Sequence, residues 1–182
     1  EAPLSYSQRR LWFLDQLDPG SVSYTVPNTI EFRGELDVGK LEAALNEIVC
    51  RHESLRTTFL SSEGVPYQII HESESVSIPV VDLSASPLAV SQSKARELAR
   101  EQSRKSWDLQ HGPLLRVQLI RLAKEHHLLV ITMHHIITDG HSMAVFAREV
   151  GVLYRAFSNG RPSPCPCLRF TMLILLVGNR IG

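Results

Sequence analysis

The chain has 182 residues, 43% of them apolar, which fits one globular domain or one lobe of a larger one and excludes wholesale disorder. Lys plus Arg and Asp plus Glu number 19 each, so a net charge of zero gives no pull toward nucleic acid or an anionic membrane. The start, Glu1-Ala2-Pro3-Leu4, has neither the basic nor the apolar region of a signal peptide, and Met172 to Val177 is too short an apolar run to span a bilayer.

In chain order, Ser7 to Leu17 places Leu11, Leu14 and Leu17 at three-residue steps with charge between them, which predicts a short amphipathic helix stopped by Pro19-Gly20. Tyr24 to Phe32 is β-rich and ends at Gly34, so it predicts a strand. Asp37 can cap a helix to about His52, with Leu41, Ala44, Leu45, Ile48 and Val49 on its apolar face. Leu55 to Leu60 and Val65 to His71 read as strands around the turn Ser61-Ser62-Glu63-Gly64, and Val76 to Val81 as a further short strand. Ser86 or Ser91 is placed to start a polar helix ending near Trp107. Leu114 to Leu122 and His127 to His134 predict two strong strands, and Asp139 or Ser142 caps a last helix through Phe157, closed by Asn159-Gly160. Interspersed strands and helices argue for an α/β fold, an open mixed-sheet sandwich. Cys50, Cys165 and Cys167 form no disulfide framework, which suits a reducing cytoplasm.

The sharpest feature is Met133-His134-His135-Ile136-Ile137-Thr138-Asp139-Gly140. It follows the apolar run Leu128 to Ile131, which suggests a strand buried on both faces. Two histidines at its end point to opposite faces, so one can enter a cavity while the other props the structure. Histidine titrates nearest neutrality and suits proton transfer at cellular pH. Asp139 can anchor an arginine or orient an imidazole, and Gly140 permits a tight turn into the next helix. Three readings stay open on spacing alone: a catalytic histidine, a structural pair, and a metal site of His134, His135, Asp139 and His141. Adjacent strand residues make poor joint ligands, which counts against the third.

Three motifs in order resemble one family. His134-His135-Ile136-Ile137-Thr138-Asp139-Gly140 resembles the His-His-x-x-x-Asp-Gly signature of the condensation domains of non-ribosomal peptide synthetases. Leu4-Ser5-Tyr6-Ser7-Gln8-Arg9-Arg10-Leu11-Trp12-Phe13-Leu14 is similar to their opening motif, and Arg51-His52-Glu53-Ser54-Leu55-Arg56-Thr57-Thr58-Phe59 to their second. The likeness runs from residue 3 to about 163; the histidine motif alone would admit the wider chloramphenicol acetyltransferase-like superfamily. The resemblance implies a single chloramphenicol acetyltransferase-like lobe, the N-terminal half of a two-lobed domain. It implies amide-bond formation between thioesters carried on the phosphopantetheine arms of donor and acceptor carrier proteins, with no metal and no bound cofactor. By position His135 matches the catalytic histidine and His134 the structural one. The partners implied are those carrier proteins and the second lobe, not nucleic acid or membrane. Thr138 stands where Ser is frequent and His141 where Trp is common.

Leu11, Trp12 and Leu14 read equally as packing residues, and Arg9, Arg10 and Arg51 as solvated ones. Arg56 interrupts an apolar strand start, where a charge needs a partner, and Asp139 is the expected one. The segment 164–182 has no matching pattern; read two nucleotides out of frame from Pro164, the degenerate code permits a continuation like that of condensation domains. An out-of-frame tail would make the Cys165-Pro166-Cys167 pair an accident. Two rival expectations remain: a non-catalytic fragment or pseudogene product, and a stand-alone acyltransferase of the wider superfamily.

Overall fold

Three of the four helices among the described residues begin where a side chain accepts one of their first backbone N–H groups. Ser5 Oγ accepts the Gln8 N–H and the Gln8 side-chain oxygen accepts the Ser5 N–H, a reciprocal cap that opens α1 (Tyr6–Leu17). Asp37 Oδ1 accepts the Lys40 N–H at 3.1 Å and opens α2 (Val38–Arg51), as the sequence leads one to expect. Neither Ser86 nor Ser91 caps α3 (Leu88–Ser103), which starts after Pro87 without a side-chain cap. Ser91 lies inside it, fully buried, its hydroxyl donating to the Leu83 carbonyl at 2.8 Å. That helix stops four residues before Trp107 because the indole is buried elsewhere, its N–H donating to Thr25 Oγ1 at 2.8 Å. Asp139 rather than Ser142 caps α4 (Gly140–Ser158).

The computed structural model describes residues 2–164, and the out-of-frame tail expected over 164–182 lies outside them but for Pro164. Among the described residues seven strands form two sheets: β1 (Ala2–Pro3), β2 (Thr25–Arg33), β3 (Thr57–Ser62), β4 (Val65–Ile70), β5 (Val80–Asp82), β6 (Leu115–Ala123) and β7 (His126–His134). The larger has the order β2-β7-β6-β5, antiparallel except for the parallel pair β5–β6, and the smaller is β1-β4-β3. Neither closes into a barrel, in line with an open mixed-sheet sandwich. β7 is central and buried on both faces. Leu129, Ile131 and Met133 share one core cluster with Leu45 and Ile48 of α2 and Phe146 and Val150 of α4, while Val130 shares the other with Ala95 of α3. Alternation along the strand thus explains its unbroken apolar run.

Three local expectations are corrected. Residues 53–56 form a 3-10 turn rather than the start of a strand, closed by the Thr57 hydroxyl donating to the Glu53 carbonyl at 2.7 Å. Val76 to Val81 is a strand only from Val80, because Asn46 on α2 accepts the Val76 N–H and donates to its carbonyl, taking the bonds a ladder would use. In α1 it is Asp15 that is buried while Leu17 is 68% exposed. Steps of three drift about 60° around a helix, so Leu17 leaves the face that Leu11 defines, and Asp15, four residues on from Leu11, turns inward.

Candidate functional site

The site is built where β7 runs out. Thr25 of β2 still pairs with His134, and one bond further the His135 N–H donates to the Tyr24 carbonyl at 2.8 Å. The two adjacent histidines then part, as alternation requires. His134 is fully buried and His135 is exposed.

Their hydrogen bonds assign opposite tautomers. His134 Nδ1 accepts the Ile136 N–H at 3.1 Å, so in the neutral ring the proton is on Nε2. That Nε2 is buried without a hydrogen-bond partner among the described residues, with the rings of Tyr24 and Trp107 edge-on at 6.3 and 5.9 Å. Burial, and secondarily the charge of His135, pushes the His134 pKa down to about 4. The ring is therefore buried and neutral at pH 7. In His135 the carbonyl of Thr138 can only accept, so the 2.8 Å contact to Nδ1 places the proton there. Nε2 of the neutral ring is left as a bare acceptor on the exposed side, without a protein partner among the described residues.

The turn from 136 to 139 holds this geometry. The Ile137 N–H donates to the His134 carbonyl at 3.1 Å, and Thr138, 7% exposed, packs its side chain inward. Asp139 accepts from the N–H and hydroxyl of Ser142 at 2.7 and 2.6 Å, and those bonds hold its carboxyl below the usual carboxylate range. The expected Arg56–Asp139 ion pair is not formed. Arg56 closes the 3-10 turn instead, donating to the His71 carbonyl and lying 3.6 Å from Glu53, so its charge is answered on its own turn. Gly140 also differs from expectation. It lies in the first turn of α4 without positive φ, and a Cβ there would meet nothing within 4 Å, so the turn does not demand glycine. Arg9 and Arg10 are exposed as expected, but Arg51 is 7% exposed and pairs with Glu47 at 2.6 Å. Among the described residues no three His, Cys, Asp or Glu side chains are placed to hold a metal ion.

Several supports were not singled out from sequence. Trp107 braces His134, and the Arg116 guanidinium lies 3.9 Å over its ring. His52 joins Glu149 at 2.7 Å across 97 residues of chain, which no local pattern signals. A cleft of about 130 Å³ lies between the 3-10 turn and α4, bounded by Leu55, Thr138 and Phe146.

The sequence matches the family model described as Condensation domain over residues 1–171. It is 45% identical over 163 residues to chondramide synthase cmdD of Chondromyces crocatus, covering 89% of this chain and 4% of that protein. With the dimodular nonribosomal peptide synthase of Bacillus subtilis (strain 168) it shares 40% over 162 residues, 87% of this chain and 6% of that one. Among solved structures, the starter condensation domain of the rhizomide synthetase RzmA superposes with a TM-score of 0.83 at 28% identity, over 91% of this chain and 40% of that one. The first condensation domain of the CDA synthetase gives 0.82 at 28%, over 90% and 42%. The chain therefore spans a few per cent of these synthetases and about 40% of the solved domain chains. Motifs, fold and relatives agree: the chain belongs to the condensation domain family and corresponds to the N-terminal part of that domain.

Proposed function

We propose that the domain containing this chain joins a donor acyl or aminoacyl thioester to an acceptor amine, with His135 as its catalytic residue. Both substrates are carried on phosphopantetheine arms of carrier proteins, so phosphopantetheine is a substrate arm and not a resident cofactor. The observation that carries the proposal is the His135 tautomer: with Nδ1–H committed to Thr138, Nε2 is the ring's basic atom and lies on the exposed side. The amine nitrogen attacks the thioester carbonyl carbon, the new C–N bond forms, and Nε2 accepts the ammonium proton. The C–S bond then breaks and the departing thiolate takes that proton back. Placement of the amine and stabilisation of the tetrahedral oxyanion are the other two services an imidazole there can render. His134 and Asp139 serve as supports, the first through the Ile136 N–H and the second as the cap of α4. Arg56 secures the 3-10 turn.

The chain's share of the solved domains favours a partial site within it. Holding two tethered substrates in register is worth roughly 7–11 kcal/mol, whereas a general base contributes about 10²–10⁴-fold. The larger effect requires both walls of a tunnel between two lobes. The test presents loaded donor and acceptor carrier proteins to the 182-residue chain and to a domain restored with a second lobe, and looks for dipeptidyl thioester by mass spectrometry. Product is expected from the restored domain alone and should be lost in His135→Ala. Product from the chain alone would favour a stand-alone acyltransferase, and none from either would favour a non-catalytic product. We further propose that the coding sequence shifts frame near residue 163, which resequencing codons 160 to 182 decides.

A further inference from the structure

The cleft beside the 136–139 turn has a shape that the tandem histidines do not explain. Leu55, Met133, Ile137, Val145 and Phe146 make an apolar wall, and the void measures about 130 Å³. It lies along the start of α4. One end is bounded by Thr138, His141 and Ser142, at the turn that carries His135. Toward the other end stands His52, held by Glu149 at 2.7 Å with both side chains largely buried. Ser142 and Glu149 are seven residues apart on one helix, about 10 Å at 1.5 Å per residue. The cleft is therefore a slot with an apolar wall, polar groups toward one end and the hydrogen-bonded His52–Glu149 pair toward the other. Thr138 belongs both to the slot and to the site, since its carbonyl orients His135.

We propose that this slot receives a short aliphatic substituent of a tethered substrate, and that the His52–Glu149 pair sets the length it accepts. The proposal rests on the condensation reading and names a substrate class for it. Size follows from the volume: an apolar cavity of about 150 Å³ holds a benzene molecule, so this one holds a group of about five heavy atoms. A straight or branched side chain of four or five carbons fits. A longer chain meets the hydrogen-bonded His52–Glu149 pair, whose opening would leave a carboxylate unpartnered in a largely buried position.

The test titrates the 15N-labelled 182-residue chain with S-acetyl-, S-pentanoyl- and S-octanoyl-pantetheine, following the amides of Thr138 and Val145. Each buried methylene contributes about 0.8 kcal/mol, so three more than acetyl should tighten binding about 50-fold, while octanoyl gains nothing over pentanoyl. Val145→Trp and, separately, Ser54→Leu fill the slot and should return pentanoyl to the acetyl affinity; two variants guard against one that misfolds. His52→Ala should raise octanoyl affinity at least tenfold and leave acetyl unchanged. Affinities independent of chain length, or shifts confined to residues away from Thr138 and Val145, overturn the proposal. Length-dependent binding without dipeptide formation in the carrier-protein assay would sink the condensation reading alone. Dipeptide formation with no length dependence would sink only the slot.

Discussion

Lowering the pH from 7 to 4.5 should destabilise the fold through His134 in particular. In the folded chain its pKa lies at about 4 against an ordinary 6.5, because the ring is fully buried and, secondarily, because the charge of His135 lies beside it. The unfolded chain therefore binds this proton first. Stability from this source is complete above about pH 6.5, falls by about 1.4 kcal/mol per pH unit below it, and stops falling near pH 4. The whole loss is about 3 kcal/mol, a large fraction of the 5–15 kcal/mol typical of a domain. Protonation also turns Nδ1 from acceptor to donor against the Ile136 N–H, so the turn carrying His135 should loosen with it. The assay is urea unfolding at pH 7, 5.5 and 4.5 for the natural chain and for His134→Asn, whose side-chain oxygen can still accept the Ile136 N–H. The variant should be weaker at pH 7, having lost the packing against Tyr24 and Trp107, but its pH slope should be shallower by one proton. His127, whose pKa is also depressed by burial, titrates in both proteins and cancels. Parallel slopes would refute the assignment of the buried neutral imidazole.

Two further outcomes follow from the supports. Asp139→Ala should cost about 1 kcal/mol, the ordinary value of a helix N-cap, and not the 3–5 kcal/mol of a broken buried ion pair; chemical denaturation of the two proteins separates these. Asp15→Asn should leave the melting temperature at pH 7 unchanged or raise it. Burial pushes the Asp15 carboxyl up, its Oδ1 has no partner, and the ionised form is a standing cost that grows as pH rises through its folded pKa. A drop of several degrees at pH 7 would contradict that sign.

How far the sequence carries depends on whether a property is local. The apolar face of α2, the cap at Asp37 and the unbroken run in β7 are set by residue order alone, and they are found where spacing puts them. The division of His134 and His135 between core and surface was legible for the same reason, since alternation along a strand is a local rule. What failed were inferences about partners. Arg56 is in the predicted motif, but its partner is set by a 3-10 turn that no propensity marks, so the choice of Asp139 had nothing local to support it. Val76 lost its place in a strand to Asn46, thirty residues away, and His52 found Glu149 only because α2 and α4 pack side by side. The most consequential contact around His135 is to the Thr138 carbonyl, a backbone atom that every residue possesses and no side-chain motif can announce.

The tandem histidine is best understood as one device with two different environments. A single imidazole at a strand end would be held by its own side chain alone, and an exposed ring loses orientation easily. Placing a second imidazole directly before it puts a rigid, buried group on the opposite face. There its Nδ1 captures the N–H of the residue just after His135, fixing the backbone on that side. The Tyr24 carbonyl fixes the N–H of His135 itself, and the Thr138 carbonyl fixes its ring. Three hydrogen bonds thus define one basic nitrogen, none of them using that nitrogen. The cost is a buried ring with an unpartnered Nε2, which His134 bears and His135 does not. The two environments are not interchangeable: His135 keeps Nε2 on the exposed side, while His134 has its whole ring buried.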